Sequence, residues 1–400
     1  MTASHFAAAN PLLPPELIHQ IVSWLRTDNE ALSKCALSSR YTMYPARAVQ
    51  FLKCNIVPEN YRSFISDVVS TGSIYRTFPF SVVKKLNLSR LSTAQLEDLL
   101  SYTKKFHGLV ALDMHLIDWD VSSSARFQLA SMKWVTKLHL SVVGFSTLED
   151  FASLLYGFEA LQHLKVYMPR FDVMSTPLES NDHHHWEPRP RRQLTQLHLM
   201  DFNREFMGCI LSLFTAQRLV ILGSLWDHEG TWEQLQSHTL ADVKELEFAS
   251  CQDILTDAPF LNIPVPALLP QSIHYKFTID KSTAHHFRVP DIVASFSQDP
   301  FSPLPLPIII SFDYDLSLNY PEDTICGAPW AELDEALACR NVGHLALEFR
   351  LDLLSNSKEV EWHERIEKRV ISQMLMLLER RVLTVRSFTK LRSGTPPCAG

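Results

Sequence analysis

Along the middle of the chain, apolar and polar positions follow a fixed order. Val83, Leu86 and Leu88 stand at apolar-x-x-Leu-x-apolar spacing. The same spacing returns at Leu109, Leu112 and Met114, at Val135, Leu138 and Leu140, and at Leu161, Leu164 and Val166. The central members, Leu86, Leu112, Leu138 and Leu164, recur at a constant period of 26. With 46% of the chain apolar, these twelve matches have a chance probability of ~10⁻⁴ before the search over periods is counted. Each apolar-x-apolar core predicts a short strand with one buried face. Between the strands the pattern turns helical. Ser92 stands three positions before Gln95, and Ser146 three before Glu149, the spacing of a capping box. Leu96, Leu99 and Leu100 then follow in one unit, and Leu148, Phe151, Leu154 and Leu155 in another, as the inner stripe of a helix.

One strand and one helix per period is the length of a leucine-rich repeat. The expected architecture is therefore an α/β solenoid, with short parallel strands on its concave face and helices on its convex face. A doubly wound α/β domain would need varied spacing and, usually, glycine-rich strand ends. The array is expected to loosen after Leu164. The next sets are Leu194, Leu197 and Leu199, then Leu219 and Leu222, then Val243, Leu246 and Phe248, at unequal offsets of 33, 25 and 24. Further strands are expected near 275–279, 308–312 and 345–349. The repeat region spans 81–355, with an insert at 174–192 and proline-rich loops at 257–272 and 297–307. Residues 356–392 are expected to add a helix, over 359–381, that covers the open end of the array, and a strand.

The segment up to Ile56 reads differently. Two prolines and Glu16 open a helix carrying Leu17, Ile18, Ile21, Val22 and Leu25 on one stripe. A second apolar pattern includes Leu32, Cys35, Ala36 and Leu37, and a third runs from Tyr44 to Leu52. So short a module cannot bury all of this surface alone, so it either packs on the array or offers an apolar face to a partner.

Leu13-Pro14-Pro15-Glu16-Leu17, then Ile21 and Leu25, Cys35-Ala36-Leu37-Ser38-Ser39-Arg40, and Ala46-Arg47 ahead of Phe51 together resemble an F-box, in the style abundant in mushroom-forming fungi. Thr42 replaces the family's usual aromatic, and Ser38 replaces its more usual valine. The resemblance covers 13–56. It implies docking to the Skp adaptor of a cullin-RING ubiquitin ligase through Leu13, Pro14, Leu17, Ile18, Ile21 and Leu25. F-box and leucine-rich repeats together are a familiar pairing for substrate receptors. A repeat protein whose F-box-like segment is only a packed N-terminal cap stays open beside that reading. Residues 57–80 are expected to form a connecting helical segment, and 1–12 and 393–400 to be disordered.

Composition narrows the chemistry. A net charge of −7 argues against wholesale nucleic-acid binding. The longest apolar run, near 307–312, is far too short to span a bilayer, so no membrane partner is expected. Seven scattered cysteines without a C-x-x-C pair argue against a disulfide framework or a zinc ribbon, and for a reducing compartment, cytoplasmic or nuclear. Only 11 glycines occur, and no P-loop or dinucleotide fingerprint is present. His183, His184 and His185 read as a solvated stretch, and His363-Glu364 lacks a second histidine four positions on. We expect no enzyme, no cofactor and no metal. On the concave face, residues flanking the buried leucines would meet a substrate: Lys85, His115, Lys137, His139, His163, Lys165, Tyr167 and His198, with Asn87, Asp113 and Gln196 among them. This early column is rich in lysine and histidine, and Glu245 and Glu247 turn the later part acidic. An ordinary solvated strand face and a surface for an acidic or phosphorylated segment both fit it.

Overall fold

The computed structural model describes residues 13–69, 82–171, 191–200, 204–222, 243–250, 271–279, 307–315, 325, 327–340, 342–352 and 359–389. The expected termini and nearly all of the insert and of the two proline-rich loops lie outside the described residues. The fold is mixed α/β, with eleven α-helices among the described residues, and every strand pairing described is parallel. The chain divides into two compact units, Met1–Lys165 with Pro169–Ser175, and Val166–Met168 with Thr176–Gly400.

Unit 1 opens with three helices, α1 (Pro15–Trp24), α2 (Asn29–Ser38) and α3 (Arg40–Gln50). Asp28 caps α2 by accepting from the Ala31 N–H at 2.9 Å, and Ser39 caps α3 by accepting from Tyr41 at 3.0 Å. Ile18, Val22, Leu32 and Ala46 form their common core, with Leu25, Cys35, Ala36 and Val49 packed against it. The expected helical module of 13–56 does not stay helical to its end. Lys53–Ile56 forms strand β1, with Cys54 and Ile56 buried and Lys53 and Asn55 exposed. Two-residue alternation wins here because β1 pairs in parallel with the first leucine strand, β2 (Lys85–Ser89). The segment between them carries α4 (Pro58–Val69), which packs through Phe64 stacked on Phe106, centroids 6.5 Å apart.

From β2 onward the constant period of the leucines becomes strand register. Leu86 is aligned with Leu112 in β3 (Ala111–His115), and Leu112 with Leu138 in β5 (Lys137–Ser141). The sheet order continues to β7 (His163–Tyr167). All four central leucines are buried. Helices α5 (Thr93–Leu100), α6 (Ser123–Ala130) and α7 (Leu148–Gly157) alternate with the strands. The capping box of α5 forms as expected, Ser92 and Gln95 satisfying each other's backbone N–H groups. The cap of α7 stands one position later than expected, and one of the two capping-box bonds is seen. Thr147 is the cap, and its hydroxyl accepts from Asp150 at 3.1 Å. Thr147 and Asp150 stand at the same spacing as Ser146 and Glu149, so spacing alone does not choose between the two adjacent candidates.

Two further features repeat with this period. Arg90, Leu116, Val142 and Met168, evenly spaced like the leucines, all hold positive φ, between 44° and 56°. Each corner turns the chain out of its strand. The Arg90 N–H reaches the His115 carbonyl and the Leu116 N–H the Ser141 carbonyl, each at 2.9 Å. Behind the corners, β4 (Asp118–Trp119), β6 (Gly144–Phe145) and β8 (Arg170–Phe171) form a small parallel sheet. Phe145 packs edge-on against Phe151, with centroids 5.2 Å apart, and flat on Phe171 at 5.9 Å. Neighbouring helices are braced as well, the Glu97 carboxylate accepting from the Ser122 N–H at 2.6 Å.

Unit 2 continues with longer strands: β9 (Arg192–Met200), β10 (Phe214–Leu222), β11 (Glu245–Ser250), β12 (Ser272–Ile279), β13 (Pro307–Asp315), β14 (His344–Asp352) and β15 (Leu383–Thr389), in that spatial order. Helix α8 (Arg204–Leu213) precedes β10, and α9 (Trp330–Cys339) precedes β14. Trp330 is fully buried between Phe312 and Phe349, edge-on to both. The helix expected over 359–381 is two, α10 (Glu359–Gln373) and α11 (Leu375–Glu379), broken at Met374. Glu367 on α10 accepts from the Ser387 N–H of β15 at 2.9 Å. The two helices bridge β14 to β15, because parallel neighbours need a crossover, and the last position in the order belongs to β15.

Candidate functional site

The strand face of unit 1 places side chains in three rows. Lys53, Lys85, Ala111 and Lys137 are aligned in the first row, and Asn55, Asn87, Asp113 and His139 in the second. Ser89, His115 and Ser141 share the third. Asp113 is the focus of the middle row. Its carboxylate lies 2.5 Å from the Lys85 ammonium and 4.0 Å from His139 Nδ1. Burial holds His139 below the ordinary imidazole range. Asp113 opposes that shift, and Lys165, Lys85 and His115 add to it. His115 Nδ1 lies 2.9 Å from the Ser141 hydroxyl. Lys137 and Lys165 are exposed, and neither has a carboxylate within ion-pair reach among the described residues. His163 and Tyr167 are half-buried on β7, while His198 and Gln196 belong to β9 of unit 2, where His198 is half-buried.

Lys53 and Asn55 extend this face beyond the residues expected from sequence. Asn87 Nδ2 donates to Asn55 Oδ1 at 2.6 Å, which ties β1 into the middle row. The alternation of exposed and buried positions along Lys-Cys-Asn-Ile is the only local signal for them.

Unit 2 carries a second polar face, expected to be acidic and in fact alternating. Arg218 pairs with Glu247 and, at 3.5 Å, with Glu245. His274 Nε2 lies 2.7 Å from the Ser311 hydroxyl, which donates to Glu348 at 3.1 Å. Arg350 meets Glu348 at 2.7 Å and Asp313 at 3.9 Å, and Lys276 meets Asp313 at 3.2 Å. Burial works to raise the Glu247 and Glu348 carboxyls. The hydrogen bonds and charge of Arg218 on one, and of Arg350 with the Ser311 hydroxyl on the other, outweigh it and leave both below the usual range. Each of these cations meets an anion, while Arg386, exposed on β15 in register with Glu348, has no carboxylate within ion-pair reach among the described residues. Among the described residues no group of three or more His, Cys, Asp or Glu side chains is arranged to hold a metal ion. His183, His184 and His185 lie outside them. The Cys54 and Cys209 thiols are pushed up by burial, to about 12 and about 11, so both stay protonated at neutral pH.

The N-terminal helix α1 is apolar on two sides. Ile18 and Val22 turn into the module's core, with Leu25 half-buried beside them. Leu13, Pro14, Leu17 and Ile21 stay exposed, joined by Trp24, whose surface is 71% accessible. The six residues expected to contact an adaptor are therefore divided, with Ile18 and Leu25 supporting the outer four. Trp24 was not among them. Leu37, Tyr41 and Tyr44 add exposed apolar surface on α2 and α3. The two departures from the F-box pattern meet each other. The Thr42 hydroxyl donates to the Cys35 carbonyl at 2.6 Å and lies 3.2 Å from the Ser38 hydroxyl, a polar seam between the end of α2 and α3.

No family model matches the chain, and no curated protein matches it in sequence. Among the described residues, no helix is long and apolar enough to cross a membrane.

Proposed function

We propose that the chain is the substrate-recognition subunit of a Skp-cullin-F-box ubiquitin ligase. Its helical module would dock the Skp adaptor, and its strand-and-helix array, read as a leucine-rich-repeat solenoid, would bind a protein substrate. One observation carries the reading: Leu17, Ile21 and Trp24, with Leu13 just ahead of them, stand exposed along a helix whose other side already closes a core. A short helix with a satisfied core gains nothing from a second apolar stripe unless a partner covers it. The F-box resemblance supplies the partner. The regular register of the leucine strands and its recurrent positive-φ corners support the solenoid. Such a subunit does no chemistry; it raises the effective concentration of substrate beside the transferred ubiquitin.

The test is copurification of the Skp adaptor with the full chain. Leu17→Asp with Ile21→Asp, both on the outer stripe, abolishes recovery while the circular dichroism spectrum is retained. Folded parent protein that never retains the adaptor defeats the ligase role. The inward turn of Ile18 and Leu25 favours, in that case, a repeat-based binding module with a packed helical cap.

A further inference from the structure

We propose that the strand face of unit 1 binds an extended acidic segment of a protein partner laid across the strands, with acidic side chains opposite Lys53, Lys137 and Lys165 and a neutral residue opposite Asp113. The proposal rests on the receptor reading only in calling that partner a substrate.

The charge on this face runs against the chain as a whole. The chain carries a net −7, yet Lys53, Lys85, Lys137 and Lys165 share the face with one carboxylate, Asp113, which engages Lys85. Lys53, Lys137 and Lys165 are exposed and have no carboxylate within ion-pair reach among the described residues. The unit 2 face is also rich in charge, but there Glu245 and Glu247 answer Arg218, Asp313 answers Lys276, and Glu348 answers Arg350. Arg386, exposed and in register with Glu348, has no carboxylate within ion-pair reach among the described residues either, but the unit 1 face, with three such lysines, holds more positive charge for a ligand.

Register sets the spacing of that ligand. Lys53 and Lys137 are separated by three strand steps, β1 to β2 to β3 to β5, or about 14 Å at about 4.8 Å per step. An extended peptide covers that distance in about four residues. The His163 N–H bonds the Thr136 carbonyl as the Lys137 N–H bonds that of Val110, so His163 continues the row of Lys137. Lys165 is then the diagonal neighbour, about 7–8 Å away, or about two residues of peptide. Asp113 stands one strand before Lys137 and repels an acid about three residues into the segment. The recognised pattern is acid-x-x-neutral-acid-x-acid. Glutamate or aspartate and phosphoserine present the same chemistry to these lysines.

Fluorescence anisotropy with the full chain tests this. The probe is a fluorescein-labelled ten-residue peptide of glycine, serine and asparagine, with glutamates at positions 2, 6 and 8. Lys137→Glu with Lys165→Glu weakens binding at least tenfold, and Lys53→Glu alone weakens it several-fold. Asp113→Asn, which removes the repulsion and frees Lys85, tightens it several-fold, a gain that a purely structural role for Asp113 would not give. A peptide of the same composition with its glutamates adjacent binds several-fold more weakly. Undetectable binding of the parent chain, unchanged affinity after the double reversal, or weaker binding by a folded Asp113→Asn chain overturns the proposal. A ten-nucleotide oligothymidylate that outcompetes the peptide overturns it in favour of nucleic acid. Phosphoserines in place of the glutamates decide the source: at least tenfold tighter binding assigns a phosphorylated segment, and equal binding an encoded acidic one. Leu17→Asp leaves peptide binding intact, so loss of the adaptor and loss of the peptide are separate results.

Discussion

Asp334 offers the sharpest test of how unit 2 is held together. Its side chain on α9 is 3% exposed and accepts from the Met376 and Leu377 N–H groups of α11, at 2.7 and 2.9 Å. These are among the first donors of α11, which has no capping side chain of its own. Asp334→Ala orphans both. Met376 is partly exposed, so water recovers part of its loss and the cost is about 1 kcal/mol, while buried Leu377 loses its acceptor outright at about 2–3 kcal/mol. Removing the carboxylate also returns its desolvation cost, which puts the net near about 3 kcal/mol. Asp334→Asn keeps one carbonyl acceptor and costs about half as much. Urea unfolding read by tryptophan fluorescence reports the change, since Trp330 lies on the same helix. Amide exchange at Leu377 localises it, rising about a hundredfold in the alanine variant. An alanine variant within about 1 kcal/mol of the parent, with Leu377 still protected, would refute this account of the α9–α11 junction.

The corner at Arg90 holds a non-glycine residue at φ 56°, and its side chain reaches only as far as exposed Glu59, at 3.9 Å. Arg90→Gly relieves about 1–2 kcal/mol of left-handed strain and costs about 0.5–1 kcal/mol in chain entropy, so thermal unfolding shows a net gain of up to about 1.5 kcal/mol; a clear loss means that the corner is not strained. Stability falls with acid in two stages. His139 and His274 are held below 6.5, by burial first, so the unfolded chain takes up protons before the folded one as pH drops through 6.5. Their contribution is complete above that value and lost below it. Glu97, Glu247 and Glu348 are held below 4.5, so theirs persists to that value and is lost beneath it. A melting temperature that rises as the medium is acidified from neutral to about pH 5.5, or a first stage unchanged by His139→Gln with His274→Gln, contradicts the assignment.

What was legible in the sequence is what depends on period alone. Leu86, Leu112 and Leu138 fall opposite one another because equal spacing in sequence becomes equal register when each unit is one strand and one crossover. The strand-face residues followed from the same arithmetic, since alternate positions must share a face. Three things were not legible, each for its own reason. Strand β1 is short, Lys53–Ile56, and Asn55 meets its equivalent Asn87 at an offset of 32, longer than the leucine period, so no period reached it. The inward turn of Ile18 and Leu25 depends on which side of α1 meets α2 and α3, and an apolar stripe wider than one face does not say. The unit 2 network joins Arg218 with Glu247 and His274 with Ser311 at unequal offsets, 29 and 37, because the connections between its strands differ in length. The last failure has a consequence for function. Reading strand faces by residue type made the later face acidic, yet pairing cancels most of its charge, while the early face has one carboxylate against four lysines. Composition of a face counts charges. Register decides which of them already neutralise one another, and so which face still has any to offer a partner.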